Sequence, residues 1–112
     1  MVKIRLIFRG GVQEVGRSSI ELESNNVVMV FDFGVQVSEP PQYLNMPDYA
    51  DSLVLSHAHL DHSGMAPALY ERQSLPIYCT KPTSQLCQIL QEDNLKVTER
   101  RGYALPYSKK DI

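Results

Sequence analysis

The chain has no global excess of basic residues, no apolar run that approaches membrane-spanning length, only two cysteines, and no histidine after position 62. Each shortage removes a class of protein. Eleven Lys and Arg against thirteen Asp and Glu leave a net charge of −2, so no overall basic surface advertises nucleic acid. Basic residues do gather locally at Lys96, Arg100, Arg101, Lys109 and Lys110, against Glu99 alone. We read them as a solvated, helix-flanking face rather than a phosphate-contacting edge. Cys79 and Cys87 are spaced like neither a zinc ribbon nor a redox pair, and their apolar contexts predict small buried hydrophobes of a reducing compartment. The opening "MVKIRLIFRGG" is too short and too charged for a signal peptide. Together with the missing membrane span, this predicts a cytoplasmic protein with no membrane partner. Neither an internal repeat nor a low-complexity segment is present.

What is there suits one domain of 112 residues, 43% hydrophobic and 21% charged, an ordinary globular mixture. Residues 2–8 alternate basic and apolar, the pattern of a half-buried strand. Residues 18–23 read as a second strand, Asn25-Asn26 as a turn, and residues 27–33 as a third strand, a hairpin or meander signal. "VVMVFDFG" (27–34) is almost continuously apolar, which predicts burial on both faces. Residues 34–51, with Pro40, Pro41 and Pro47 and no periodicity, read as a long surface loop. "DSLVLS" and "LPIYCT" read as further short strands. A helix is expected over 63–73 with Ser63 as its cap. Another is expected over 80–92 with Leu86, Ile89 and Leu90 on one face. Ser108 and Asp111 have the spacing of a capped helix start. A helix start this close to the last residue, Ile112, suggests a sequence cut from something longer.

The segment "SHAHLDHSG" (56–64) carries all three histidines and an aspartate within positions 57–62, just after an apolar strand. Side chains two apart on an extended segment point the same way, so His57 and His59 face one cation together. Asp61 and His62 are adjacent and diverge at the turn into the helix. That geometry suits two neighbouring metals with one pair of ligands each. Imidazole with carboxylate fits zinc, with manganese and iron as outsiders.

"HAHLDH" is the His-x-His-x-Asp-His signature of the metallo-β-lactamase superfamily. With "GGVQEVGRSSIEL" (10–22), "VVMVFDFG" (27–34), "SHAHLDHSGMAPALY" (56–70) and "PIYCTKPT" (76–83), the chain resembles the β-CASP nucleases of that superfamily, most of all their archaeal members. The resemblance implies an α/β (α+β) fold that is part of an αββα sandwich, two zinc ions, and hydrolysis of RNA phosphodiester bonds in 3′-end processing or decay. It implies that His57 and His59 hold the first metal and that Asp61 and His62 hold the second, Asp61 also orienting the attacking water. Asp32 then supports the histidine loop without binding metal. Glu14 and Arg17 resemble the family's Glu-Val-Gly-Arg element near the site; from the residues alone they fit a surface ion pair equally well.

Complete members of the family carry further ligands downstream, a later histidine, a bridging aspartate and a last histidine, besides an inserted domain that closes over RNA. Here no histidine follows His62, and Asp93 and Asp111 lack the matching context. Sandwich domains run to about 200–250 residues, so the chain is expected to be roughly the N-terminal half of one, over residues 1–112. Two ligands per metal fall short of the three plus water of a catalytic zinc. The count predicts a chain that is inactive alone and that needs a complementary C-terminal chain, or associates with a second copy through sheet faces left open. The alternatives are a stand-alone metal-binding or interaction module with an incomplete site, and a fragment of a non-nuclease hydrolase of the same superfamily.

Overall fold

The computed structural model describes residues 3–112. Five strands form one sheet in the order β1-β2-β3-β4-β5: β1 is Ile4–Gly10, β2 Ser19–Ser24, β3 Val27–Phe31, β4 Ser52–Val54 and β5 Ile77–Tyr78. The first three make an antiparallel meander, and β4 and β5 add in parallel. Asn25 and Asn26 turn between β2 and β3 at φ 51° and 65°, the left-handed pair that a tight hairpin needs and that Asn tolerates. The start expected for the first strand, Val2, lies outside the described residues.

Helices α1 (Leu60–Ser63), α2 (Ala66–Gln73) and α3 (Lys81–Arg100) follow β4 and β5, and a short 3-10 helix spans Lys109–Asp111. Ser108 and Asp111 close a reciprocal capping box there, as the spacing predicts. The core joins Val30 and Leu53 of the sheet to Met65, Leu69, Cys87 and Leu95 of the helical layer.

Several expectations are corrected. Ser63 is no helix cap; it lies inside α1, buried, and its Oγ donates to the Ala58 carbonyl at 2.8 Å. The segment 34–51 is not a surface loop throughout, since Val35, Leu44 and Ala50 enter the core. The second long helix continues to Arg100, and its buried stripe is Thr83, Cys87, Gln91, Leu95 and Thr98, while Leu86 and Ile89 face outward. That stripe keeps helical spacing but is masked in the sequence by three polar members; Gln91 is buried because its Nε2 donates to the Ser63 carbonyl at 3.0 Å. Cys79 is exposed and only Cys87 is buried, burial pushing the Cys87 thiol pKa up.

The sheet has two unlike faces. Cross-strand register puts Leu6, Leu22 and Met29 in one row and Phe8, Ile20 and Phe31 in the next. On this face Leu6 remains 55% and Phe8 58% exposed. The opposite face carries Val30 and Leu53 into the core and pairs Arg9 with the buried Glu21 at 3.1 Å. β1 and β3 are therefore covered on one side only, which corrects the burial on both faces expected for β3. An apolar row of this length needs cover. Sedimentation is expected to show concentration-dependent association, weakened at least about tenfold in dissociation constant by Leu6→Lys with Phe8→Lys. A compact monomer at every concentration would count against it. Among the described residues no helix is long and apolar enough to cross a membrane.

Candidate metal centre

The site is assembled where β3 and β4 end. Asp32 follows β3 at φ 62°, a left-handed turn that Asp accommodates better than most residues. Its backbone N–H donates to the Val54 carbonyl of β4 at 2.9 Å, and its carboxylate thereby reaches the loop that follows β4. There Oδ1 accepts from the Ser56 backbone N–H at 2.8 Å, and Oδ2 accepts from Ser56 Oγ at 2.7 Å. Oδ2 also lies 2.8 Å from His62 Nδ1. Its side chain is only 13% exposed.

The segments around this turn are joined by backbone hydrogen bonds. Phe33 N–H donates to the His62 carbonyl at 2.8 Å, Val35 N–H to Leu60 at 3.0 Å, and Met65 N–H to Phe33 at 2.9 Å. Ser18 N–H donates to the Asp61 carbonyl at 2.8 Å, and Gly34 N–H to Ser18 at 3.1 Å. Gly34 lies so close that a Cβ there would overlap the Asp61 carbonyl. From the far side, buried Tyr107 donates its hydroxyl to the Gly64 carbonyl at 2.7 Å. Backbone of two segments, at Ser18 and at 33–35, and a side chain from the C-terminal end thus hold residues 60–64.

Within this frame the four sequence-predicted ligands come together. One ligand atom each from His57, His59 and Asp61 lie within 4.8 Å of one another. The His57 and His59 rings meet edge to face at 4.8 Å between centroids. His62 stands beside this trio, its ring 4.2 Å from that of His57 and its Nε2 3.7 Å from Asp61 Oδ2. His62 thus borders both His57 and Asp61. Because His62 Nδ1 faces Asp32, its free nitrogen is Nε2, which points at the cluster; a carboxylate behind a histidine is the usual arrangement at metal ligands. His59 is exposed and the other three are partly buried, so the cluster opens on solvent. Three imidazoles and a carboxylate are a donor set that fits zinc or a related ion. An open cleft of about 460 Å³ runs past His59 and Asp61 along Val15, Gln36, Val37 and Leu90. A smaller cavity of about 250 Å³ is lined by Cys79, Cys87 and Gln91 and contains none of the four.

Glu14 and Arg17 sit in the loop that supports Asp61. Arg17 Nε donates to Glu14 Oε1 at 2.9 Å, and its NH1 to the Tyr43 carbonyl at 3.3 Å. Gly11 N–H also donates to Glu14, at 3.3 Å. The Arg17 guanidinium, with help from Gly11, holds the Glu14 pKa below its ordinary 4.5, and Glu14 raises that of Arg17. A depressed carboxylate stabilises the folded loop above the unfolded value and loses that contribution as pH falls through the folded one. Hydrogen-exchange protection of the Ser18 amide is expected to be full at neutral pH and to weaken below about pH 4.5. Arg17→Met should remove that pH dependence. The Ser56 hydroxyl and the Gly34 approach escaped the sequence reading, because neither residue type announces a contact 24 or 27 positions away.

No family model matches the chain. Among curated proteins it is 35% identical to the transcription termination factor FttA of Methanocaldococcus jannaschii over 97% of this chain and 18% of that protein. It is 37% identical to the FttA of Lokiarchaeum over 99% of this chain and 19% of that one. It is also 34% identical, over 97% of this chain and 26% of the relative, to a second M. jannaschii protein named "Probable RNase MJ4". The chain thus spans between about a fifth and a quarter of these relatives. Among solved structures it matches an archaeal metallo-β-lactamase superfamily protein from Sulfolobus tokodaii with a TM-score of 0.51 at 19% identity, over 96% of this chain and 46% of that one. A protein of unknown function from Enterococcus faecalis matches with a TM-score of 0.57 at 18% identity, over 100% of this chain and 32% of that one. The chain thus has the fold of a metallo-β-lactamase superfamily protein, and over nearly its whole length it is similar to archaeal transcription termination factors and to a protein named as a probable RNase.

Proposed function

We propose that residues 1–112 are the N-terminal portion of the hydrolase domain of a β-CASP ribonuclease, which cleaves RNA phosphodiester bonds once the rest of the domain is supplied. The observation that carries this is the convergence of His57, His59, Asp61 and His62 at the ends of β3 and β4, in a chain similar along its length to an RNase and to termination factors. His57 and His59 are assigned to one zinc ion, and Asp61 and His62 to a second, with Asp32 holding the loop from behind. When bound, such a pair of ions acidifies a water and clamps the attacking and leaving oxygens of a hydrolysis.

Asp61 has a second part in this reading. Its carboxylate lies at the mouth of the open cleft, where it accepts a hydrogen bond from the attacking water and aligns it. The chain offers each ion two ligands where a catalytic zinc takes three and a water, so neither ion is held firmly until further ligands arrive. Positioning supplies much of the rate in such reactions, and activity therefore depends on a complementary C-terminal chain or a second copy. RNA and that complement are the partners, and the cytoplasm is the compartment.

The test is a cleavage assay on labelled single-stranded RNA with zinc or manganese. The chain alone is expected to leave the RNA intact. Mixing it with the complementary portion of the domain should produce metal-dependent cleavage, and the same mixture carrying Asp61→Ala should be silent. Cleavage by the chain alone, abolished by Asp61→Ala, would overturn the need for a complement. A mixture that binds through the open sheet face yet never cleaves would favour the interaction module.

A further inference from the structure

We propose that Ser56 is a positioning residue whose hydroxyl holds His57 in the Nδ1–H form and turns its Nε2 lone pair toward the cluster. The argument is a count of protons. Ser56 Oγ owns one hydrogen and lies 2.7 Å from Asp32 Oδ2 and 2.8 Å from His57 Nδ1. A carboxylate only accepts, so the Ser56 proton goes to Asp32. The oxygen then offers His57 a lone pair, and His57 Nδ1 must donate. The same reasoning makes His62 Nδ1 a donor to Asp32 Oδ2, 2.8 Å away. One carboxylate oxygen therefore sets the tautomer of two histidines, His62 directly and His57 through the serine. Both keep Nε2 free as a ligand atom.

The chain of bonds, His57–Ser56–Asp32–His62, joins one residue from each of the two ligand pairs. It rests on the metal reading of the cluster, but it concerns only hydrogen bonds among side chains of this protein. Asp32 is 13% exposed, while Ser56 lies at the surface. Removing its hydroxyl empties no core site and leaves the Ser56 N–H to Asp32 Oδ1 bond intact. A Ser56 variant therefore folds, and its effect separates from a structural one.

The experiment reads the ring nitrogens of His57 and His62 by long-range proton–nitrogen correlation in the metal-free chain, at alkaline pH where imidazole is neutral. Both are expected as Nδ1–H in the parent chain. In Ser56→Ala, His57 should relax toward the Nε2–H form that solvated imidazole prefers, while His62 stays as it was. Ser56→Thr, which keeps a hydroxyl, should restore His57. Zinc affinity, measured by competition with a chelator, should fall about tenfold in Ser56→Ala and recover to within about twofold in Ser56→Thr. An unchanged His57 tautomer in Ser56→Ala would overturn the proposal. A parent chain that shows the tautomers but takes up no zinc would support the Ser56 assignment and overturn the metal reading instead.

Discussion

Gly34→Ala is expected to lower the stability of the chain by about 3 kcal/mol or more, a severe loss against the 5–15 kcal/mol of a typical domain. The reason is a backbone collision. A Cβ at position 34 overlaps the carbonyl of Asp61, and the His62 nitrogen is the next atom in its way at 2.8 Å. Neither obstacle is a side-chain tip that swings aside. Relief requires the 33–35 segment and the 60–65 segment to separate, which breaks the hydrogen bonds Phe33 to His62 and Val35 to Leu60. The turn that carries Asp61 and His62 would move with them. Urea titration followed by circular dichroism measures the loss. Gly102→Ala is the control: Gly102 also has a constrained backbone, at φ 79°, but nothing lies within 4 Å of its Cβ position, so about 1 kcal/mol is expected there. Equal losses at both positions would remove the collision as the cause.

Asp32→Asn should leave the fold in place and reduce zinc affinity about a hundredfold. Asn tolerates the left-handed turn at position 32 as well as Asp does, so backbone strain is not introduced. The electrostatics change completely. Asp32 accepts three hydrogen bonds, from Ser56 N–H, Ser56 Oγ and His62 Nδ1. An amide has one accepting oxygen and a donating NH2. If the oxygen keeps Ser56 N–H, the NH2 faces His62 Nδ1 and drives the proton to Nε2, the atom needed for metal. If it turns over, the Ser56 N–H is left facing a donor. Each orientation breaks the network, and bonds to a charged acceptor are the ones that contribute most. Chelator competition gives the affinity, and an unchanged thermal transition confirms the fold. An affinity within about threefold of the parent chain would show that the carboxylate does not organise the ligands.

Both substitutions act on residues the sequence treats very differently. Asp32 is legible as a polar residue ending an apolar run, and the histidine cluster is legible from its own spacing, because ligands two and three apart on one short segment converge whatever surrounds them. The strand alternation of residues 2–8 and the paired Asn turn are equally local, and so is the capping box at Ser108. Local geometry follows from neighbours along the chain.

What only the tertiary structure decided depends on contacts between distant segments. The amphipathic look of β1 and the apolar continuity of β3 record a need for cover, not who provides it; in this chain one face of both strands stays open. The register of α3 was hidden because Gln91 and Thr98 are polar, and Gln91 is buried only where a free carbonyl of Ser63 waits for it. Ser63 looks like a cap and instead bonds Ala58 from within a helical turn. Ser56 is one hydroxyl among several until Asp32, 24 residues earlier, is brought beneath it. The residues proposed as metal ligands lie within six consecutive positions, and so their clustering is legible in the sequence. The residues that hold them in place come from residues 14–18, 32–35 and 107, and only the packing of those segments against one turn assigns each its partner.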